Sequence, residues 1–250
     1  MFKSDDIWTR EPAANLKLAL EAMGNSVHET KVIMGSCVMK AWAVVNKPFE
    51  PEYPGNREWN RNAAQLRYPP SENTDSLQYP TWIRILEHCG RGLDDAISVH
   101  PWCIANGILN GADYLKLWIA SLFQHPYESL PYLFFYGPED SGKTSFHLAL
   151  KHLLTKGYVR ADGALTNQQG FNGALDGALI CVVEETDLHK SGQANRRIKD
   201  WVTGDDFECT YKGKDAFLAR TLCTGFSATM SLQLVPYSQV TRASRCVMLT

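Results

Sequence analysis

The sequence predicts an α/β fold preceded by an α-helical N-terminal region. Three observations carry that expectation. Residues 137–144 read Gly-Pro-Glu-Asp-Ser-Gly-Lys-Thr, a loop set between a short apolar run and a helical pattern. Residues 178–185 read Ala-Leu-Ile-Cys-Val-Val-Glu-Glu, a buried-strand run that ends on two carboxylates. Upstream of both, apolar residues recur at helical spacing rather than in alternation.

From the N-terminus, residues 13–23 are good helix formers and end at Gly24-Asn25. Residues 27–45 have the composition of a second helix. The stretch 47–80 holds six of the twelve prolines and few periodic apolar positions, which predicts an irregular, Pro-rich segment. Helical spacing returns over 81–123, most clearly where Leu115, Trp118, Ile119 and Leu122 share one face. Strands enter with Leu133-Phe134-Phe135-Tyr136, and a helix follows from Ser145 with Phe146, Ala149, Leu150, Leu153 and Leu154 on one side. The expected organisation is a mainly helical region over 1–125 and an α/β core over 126–250.

Composition narrows the class. The chain has 250 residues, 44% hydrophobic and 21% charged, as in a globular protein with ample core. A net charge of −2 gives no overall polyanion-binding field, so any such contact must come from a local basic patch. No apolar run approaches the roughly 20 residues of a membrane span. Seven cysteines without a C-x-x-C pair read as scattered reduced thiols of a cytosolic setting. His88, Cys89, His100 and Cys103 cluster in sequence, but the adjacent His-Cys pair chelates poorly, and a zinc site is the weaker reading.

The loop at 137–144 matches G-x-x-x-x-G-K-[ST], and each fixed residue has a job. Gly137 and Gly142 allow a tight turn whose N–H groups converge on phosphate oxygens. Pro138, Glu139, Asp140 and Ser141 supply the rest of that cradle, and Ser145 follows it on the helix. Lys143 places a charge near the β- and γ-phosphates, and the Thr144 hydroxyl ligates Mg²⁺. Strand, loop and helix put the anion at a helix N-terminus, where the dipole favours it. The expected ligands are ATP and Mg²⁺.

The carboxylates at 184–185 supply the other half of a hydrolytic site. Nucleotide hydrolysis needs one acid for the metal and one base for the attacking water. At the C-terminal end of a strand beside the phosphate loop, Glu184 serves the metal and Glu185 the water.

The short spacing from loop to carboxylates, with the Glu-Glu ending, resembles superfamily 3 helicases. These are the replicative ATPases of small viruses, phages and plasmids, built on an AAA+-like P-loop core. The likeness continues through Ile198 to Phe207, which is similar to the family's helix and Gly-Asp turn. Residues 207–215 then resemble its strand and lysine-bearing loop. The resemblance implies that Tyr211, Lys212 and Lys214 touch single-stranded DNA in a ring's central channel, although lysines at a hairpin tip also suit plain solvent exposure. It implies a polar residue, usually asparagine, at the end of the strand over 220–226. That asparagine is missing here, and Thr224, or else Ser227, is the candidate substitute. It also implies that Arg245, with Arg242 second, reaches a neighbouring subunit's phosphates ahead of a final strand. Residues 113–126 are similar to the helix and turn entering the helicase core of phage and plasmid primase-helicases. The likeness spans about 80–250 and leaves the first 70 residues unplaced.

The resemblance therefore implies an ATP-dependent DNA helicase of phage or plasmid replication. It would act in the cytoplasm of an infected cell, as a homo-oligomeric ring, most plausibly a hexamer, with a primase domain or protein as a partner. The sequence stops at Thr250 inside the strand expected after Arg245, so a longer protein is expected. Two rivals stay open at this point. A P-loop kinase acting on a small molecule would leave Lys212 and Lys214 without a role. A non-hydrolysing ATP-dependent assembly module would explain the missing asparagine.

Overall fold

A computed structural model describes residues 2–4, 7–9, 12–38, 42–69, 78–128, 130–138, 140–184, 192–204, 206–213, 216–220, 224–229 and 246–249. The chain forms two units, residues 1–45 with 53–59, and residues 46–52 with 60–250.

The first unit opens with an antiparallel pair, β1 (Phe2–Ser4) and β2 (Ile7–Thr9). Helix α1 (Ala13–Ala22) follows, then α2 (Val27–Ile33). Ser26 starts α2 with a capping box: its hydroxyl accepts from the Glu29 N–H while the Glu29 carboxylate accepts from the Ser26 N–H. The second helix is shorter than expected. It runs into a π-turn at Met34–Val38, and residues 43–44 are strand β3 (Ala43–Val44), paired with β4 (Glu58–Trp59). Val44 and Val45 are β-branched, and the Ala43 and Val45 N–H groups donate to the Arg57 and Trp59 carbonyls rather than to a preceding helical turn.

The second unit carries the sheet. Its short leading strand β5 (Gln65–Leu66) lies within the Pro-rich segment. Helices α3 (Pro80–Gly90), α4 (Asp94–Val99), α5 (Pro101–Ala105) and α6 (Gly111–Gln124) come next. Strand β6 (Tyr132–Tyr136) leads into α7 (Lys143–Leu153), β7 (Leu154–Lys156), β8 (Tyr158–Arg160), α8 (Asp162–Thr166) and β9 (Ile180–Val183). Helix α9 (Gly192–Thr203), the hairpin β10 (Asp206–Cys209) and β11 (Phe217–Arg220), then β12 (Thr224–Thr229) and β13 (Cys246–Leu249) complete it.

Five strands form one parallel sheet in the order β13-β6-β12-β9-β8. Helices cover the described part of both faces, as a parallel sheet requires. Strand β9 shows why its sequence is a continuous apolar run. Ile180 and Val182 enter one core with Leu115, Leu122, Leu133, Phe135, Phe146 and Leu150. Cys181 and Val183 enter the opposite core with Ala164, Leu165 and Ala194. Both faces of the strand are buried, so alternation disappears.

That shared core also moves the expected boundary. Leu115, Trp118 and Leu122 of α6 pack with the sheet residues, so helices over 80–124 belong to the second unit rather than to an N-terminal region ending near 125. The Trp118 indole N–H donates to the Pro131 carbonyl at 2.9 Å and fixes the entry into β6. Cys89, Cys103 and Cys209 are buried free thiols, whereas Cys181 is disulfide-bonded, a departure from the all-reduced expectation. Among the described residues no helix is long and apolar enough to cross a membrane.

Candidate functional site

Sheet register gathers the site. Because β6, β12 and β9 run parallel, the loop after Tyr136 and the carboxylate after Val183 emerge from the same end of the sheet. This is the carboxyl-end crevice where open α/β sheets bind ligands.

The loop has the backbone its glycines allow. Gly142 sits at φ +84° and Gly137 at φ +155°, and Asp140 also adopts a positive φ of 59°. Gly142 then caps the start of α7, so the helix N-terminus faces into the loop. The Lys143 ammonium donates to the carbonyls of Gly137 at 3.0 Å and Pro138 at 2.5 Å, and to the Ser141 hydroxyl at 3.0 Å. The ammonium is thus ringed by oxygens of its own loop. Glu139 lies outside the described residues, and Ser145 is exposed on the first turn of α7.

Glu184 is the centre of a polar cluster on β9's end. Its Oε1 accepts from the Thr144 hydroxyl at 3.3 Å and lies 2.7 Å from His147 Nε2. Its Oε2 is 3.0 Å from the Arg160 guanidinium. Its backbone N–H donates to the Asp162 carboxylate at 3.2 Å. Asp162 stands in the first turn of α8, and Arg160 ends β8, the edge strand beside β9. The structure thus brings Thr144 and Glu184, both named from the sequence, within hydrogen-bond distance of each other.

His147, Tyr158, Arg160 and Asp162 were not singled out by sequence, and they complete this cluster. His147 is 1% exposed. Burial holds its pKa below the ordinary 6.5, against the opposing pull of the hydrogen bond to Glu184. The ring is therefore neutral near pH 7, with one N–H and one lone pair. A carboxylate can only accept, so Nε2 carries the hydrogen and donates to Glu184. Nδ1 then accepts from the Tyr158 hydroxyl, 2.9 Å away. Burial first, and the Glu184 charge second, push Tyr158 up to about 12, which keeps its proton on the oxygen. Spacing alone offered a faint signal. Thr144 and His147 are one helical turn apart, and Tyr158 and Arg160 alternate onto one strand face.

The donor set suits a hard divalent cation: a hydroxyl and a carboxylate oxygen within reach of each other. Among the described residues no three His, Cys, Asp or Glu side chains gather as a closed metal cage. A cation held by Thr144 and Glu184 would draw its other ligands from phosphate oxygens and water. In the cluster weighed for zinc, Cys89 is buried with its thiol pushed up to about 11, and His88 donates from Nε2 to the Ser141 carbonyl of the 137–144 loop at 2.6 Å.

Thr224 needs correction. It begins β12, paired with Ile180 at the start of β9, so it stands at the end of the sheet away from Glu184. Three to four residues of strand, on the order of 10–13 Å, separate the two levels. The last residue of β12, Thr229, is in register with Tyr136 and takes the position at the crevice. Ser227 is in register with Val183. Sequence reading ended the strand too early because β11 and β12 sit close together and both contain small and polar residues.

The hairpin residues divide. Lys212 is exposed at the turn after β10. Tyr211 is half-buried and engaged by its own chain: its hydroxyl donates to Asp176 at 2.8 Å, and its ring packs so closely on Gly173 that a Cβ there would collide with it. Asn172 adds two bonds across the same base, accepting from the Thr210 N–H at 2.7 Å and donating to the Glu208 carbonyl at 2.8 Å. Tyr211 thus anchors the loop that Lys212 belongs to. Lys214, Glu185, Arg245 and Arg242 lie outside the described residues.

Residues 135–239, less than half of the chain, match a family of unknown function, DUF5906. No curated protein matches. Among solved structures, the A form apo structure of the NrS-1 C-terminal region is similar, with a TM-score of 0.64 at 15% identity, over 99% of this chain and 54% of that one. Another apo structure of the NrS-1 C-terminal region gives a TM-score of 0.58 at 17% identity, over 93% and 52%. This chain spans about half the length of those it matches. At such identities the likeness is one of fold. A JCV helicase structure, at a TM-score of 0.40 and 13% identity, is too distant to carry an argument.

Proposed function

We propose that this chain is the motor of a replicative DNA helicase, hydrolysing ATP to translocate on single-stranded DNA as a ring. One observation carries the reading: the sheet register brings the Lys143–Thr144 loop and Glu184 to one crevice, with the Thr144 hydroxyl bonded to the Glu184 carboxylate.

In this reading Lys143 leaves the Gly137 and Pro138 carbonyls and pairs with the β- and γ-phosphates. Loop N–H groups from Gly137 to Thr144 and the α7 N-terminus bind the remaining phosphate charge. Thr144 and Glu184 hold Mg²⁺, which when bound neutralises charge on the phosphates. Glu185, one residue beyond Glu184, orients the attacking water and accepts its proton. Arg245 acts on another copy's nucleotide. The strand it precedes begins at Cys246, in register with Tyr132, at the end of β6 away from the phosphate loop. A site completed by a second copy requires a closed head-to-tail ring. Lys212 and Lys214 meet backbone phosphates, and Tyr211 holds their loop in place.

The test is ATP turnover with and without single-stranded DNA, for the wild type and Glu185→Gln. Stimulation by DNA and loss of turnover in the variant are expected. Turnover indifferent to DNA, or a variant as active as the wild type, would sink the helicase reading.

A further inference from the structure

We propose that His147 is a positioning residue for Glu184, holding the carboxylate so that Oε1 is shared with Thr144 at the metal position. The inference rests on the nucleotide reading above and extends it to a group that the phosphate-loop motif does not include.

The geometry is specific. His147 lies one helical turn beyond Thr144 on α7, and both side chains converge on the same carboxylate oxygen, at 2.7 Å and 3.3 Å. The imidazole is almost fully buried, so water cannot replace it as a partner. Its other nitrogen is occupied by the Tyr158 hydroxyl, and the two rings lie nearly parallel, 25° apart with centroids at 6.0 Å. The acceptor-only carboxylate keeps the hydrogen on Nε2, and the Tyr158 hydroxyl, donating to Nδ1, holds the ring in the plane that aims that hydrogen at Oε1. Arg160, two residues along β8 from Tyr158, holds the second oxygen. Outer partners of this kind orient a metal-binding group, and their loss typically costs 10–100-fold in metal affinity or activity.

The chemistry assigns different effects to different substitutions. His147→Leu removes the donor and leaves the carboxylate free to turn. His147→Gln keeps an N–H close to the place of Nε2. Tyr158→Phe leaves the aromatic ring but removes the donor to Nδ1, so the imidazole is held less firmly. Nucleotide phosphates are bound by the loop and Lys143, which none of these changes touches.

The experiment titrates Mn²⁺ by electron paramagnetic resonance in the presence of a non-hydrolysable ATP analogue, alongside metal-free binding of a fluorescent ATP analogue and steady-state turnover. For His147→Leu the Mn²⁺ half-saturation should rise at least fivefold and kcat fall at least tenfold, with metal-free analogue affinity within twofold. His147→Gln should return both to within about threefold of wild type. Tyr158→Phe should shift Mn²⁺ binding in the same direction by less, and it decides the matter if the leucine variant fails to fold. Unchanged Mn²⁺ binding in both variants, or a parallel fall in metal-free nucleotide affinity, would overturn the assignment. Failure of the wild type itself to bind the analogue with Mn²⁺ would instead refute the nucleotide reading, and this inference with it.

Discussion

Glu184→Gln should separate chemistry from stability. The substitution is nearly isosteric, so each contact can be followed. The His147 N–H and the Thr144 hydroxyl keep a carbonyl acceptor in place of Oε1. The backbone N–H to Asp162 is untouched. Only the ion pair to Arg160 is lost, and Arg160 is 51% exposed with Asp162 still 4.0 Å away, so the loss costs little. An exposed ion pair contributes about 0–1 kcal/mol. For a chain of this size that is a shift of roughly 0–4 °C in Tm. The functional loss is far larger. Removing a preorganised electrostatic partner of the reacting phosphates costs about 10²–10³ in kcat, some 2.7–4 kcal/mol. The assay pairs a thermal melt with steady-state ATP turnover on the same preparation. Turnover within threefold of wild type would refute the role given to Glu184. A melt lowered by more than about 10 °C would show that the carboxylate is chiefly a structural ion-pair partner.

Three further outcomes follow from the same contacts. Burial holds His147 below its ordinary 6.5, so its contribution to stability is fully present above that pH and lost as pH falls through the lowered value. In metal-free buffer the Tm of wild type should drop between pH 7.5 and 5 more steeply than that of His147→Gln; equal slopes would contradict the neutral, buried ring. Tyr211→Phe should lower stability by about 1 kcal/mol through loss of the bond to Asp176, while changing single-stranded DNA affinity less than twofold, because the ring keeps its packing on Gly173. A large DNA defect without destabilisation would return the hydroxyl to the DNA-contacting surface. Thr224→Ala should leave turnover within twofold of wild type; a several-fold loss in single-turnover kinetics would put the β12 register in error.

How much was legible in the sequence follows from where each constraint acts. The turn at 137–144 could be read because its backbone takes positive φ at Gly137 and Gly142, which glycine permits. Strand β9 could be read because burial on both faces leaves an unbroken apolar run ending at Glu184. The register of β12 could not, since Thr224, Gly225 and Ser227 give no face-specific pattern and only pairing with β6 and β9 fixes which end meets the crevice. Helices α3 to α6 were visible as helices, but their membership in the sheet's unit depends on Leu115, Trp118 and Leu122 meeting Leu133 and Phe146. The ring of groups around Glu184 escaped for the same reason. A single histidine in a helix and a tyrosine in a strand carry no chemistry until packing places them 2.9 Å apart.

Every role assigned above depends on the loop at 137–144 binding a nucleoside triphosphate through Lys143. Isothermal titration of ATP into the wild type and Lys143→Ala, with and without Mg²⁺, tests this at its root. The structure leads us to expect saturable binding by the wild type, tightened by Mg²⁺, and at least tenfold weaker binding by the variant. A wild type that takes up no ATP, or a variant that binds as tightly, would contradict the account.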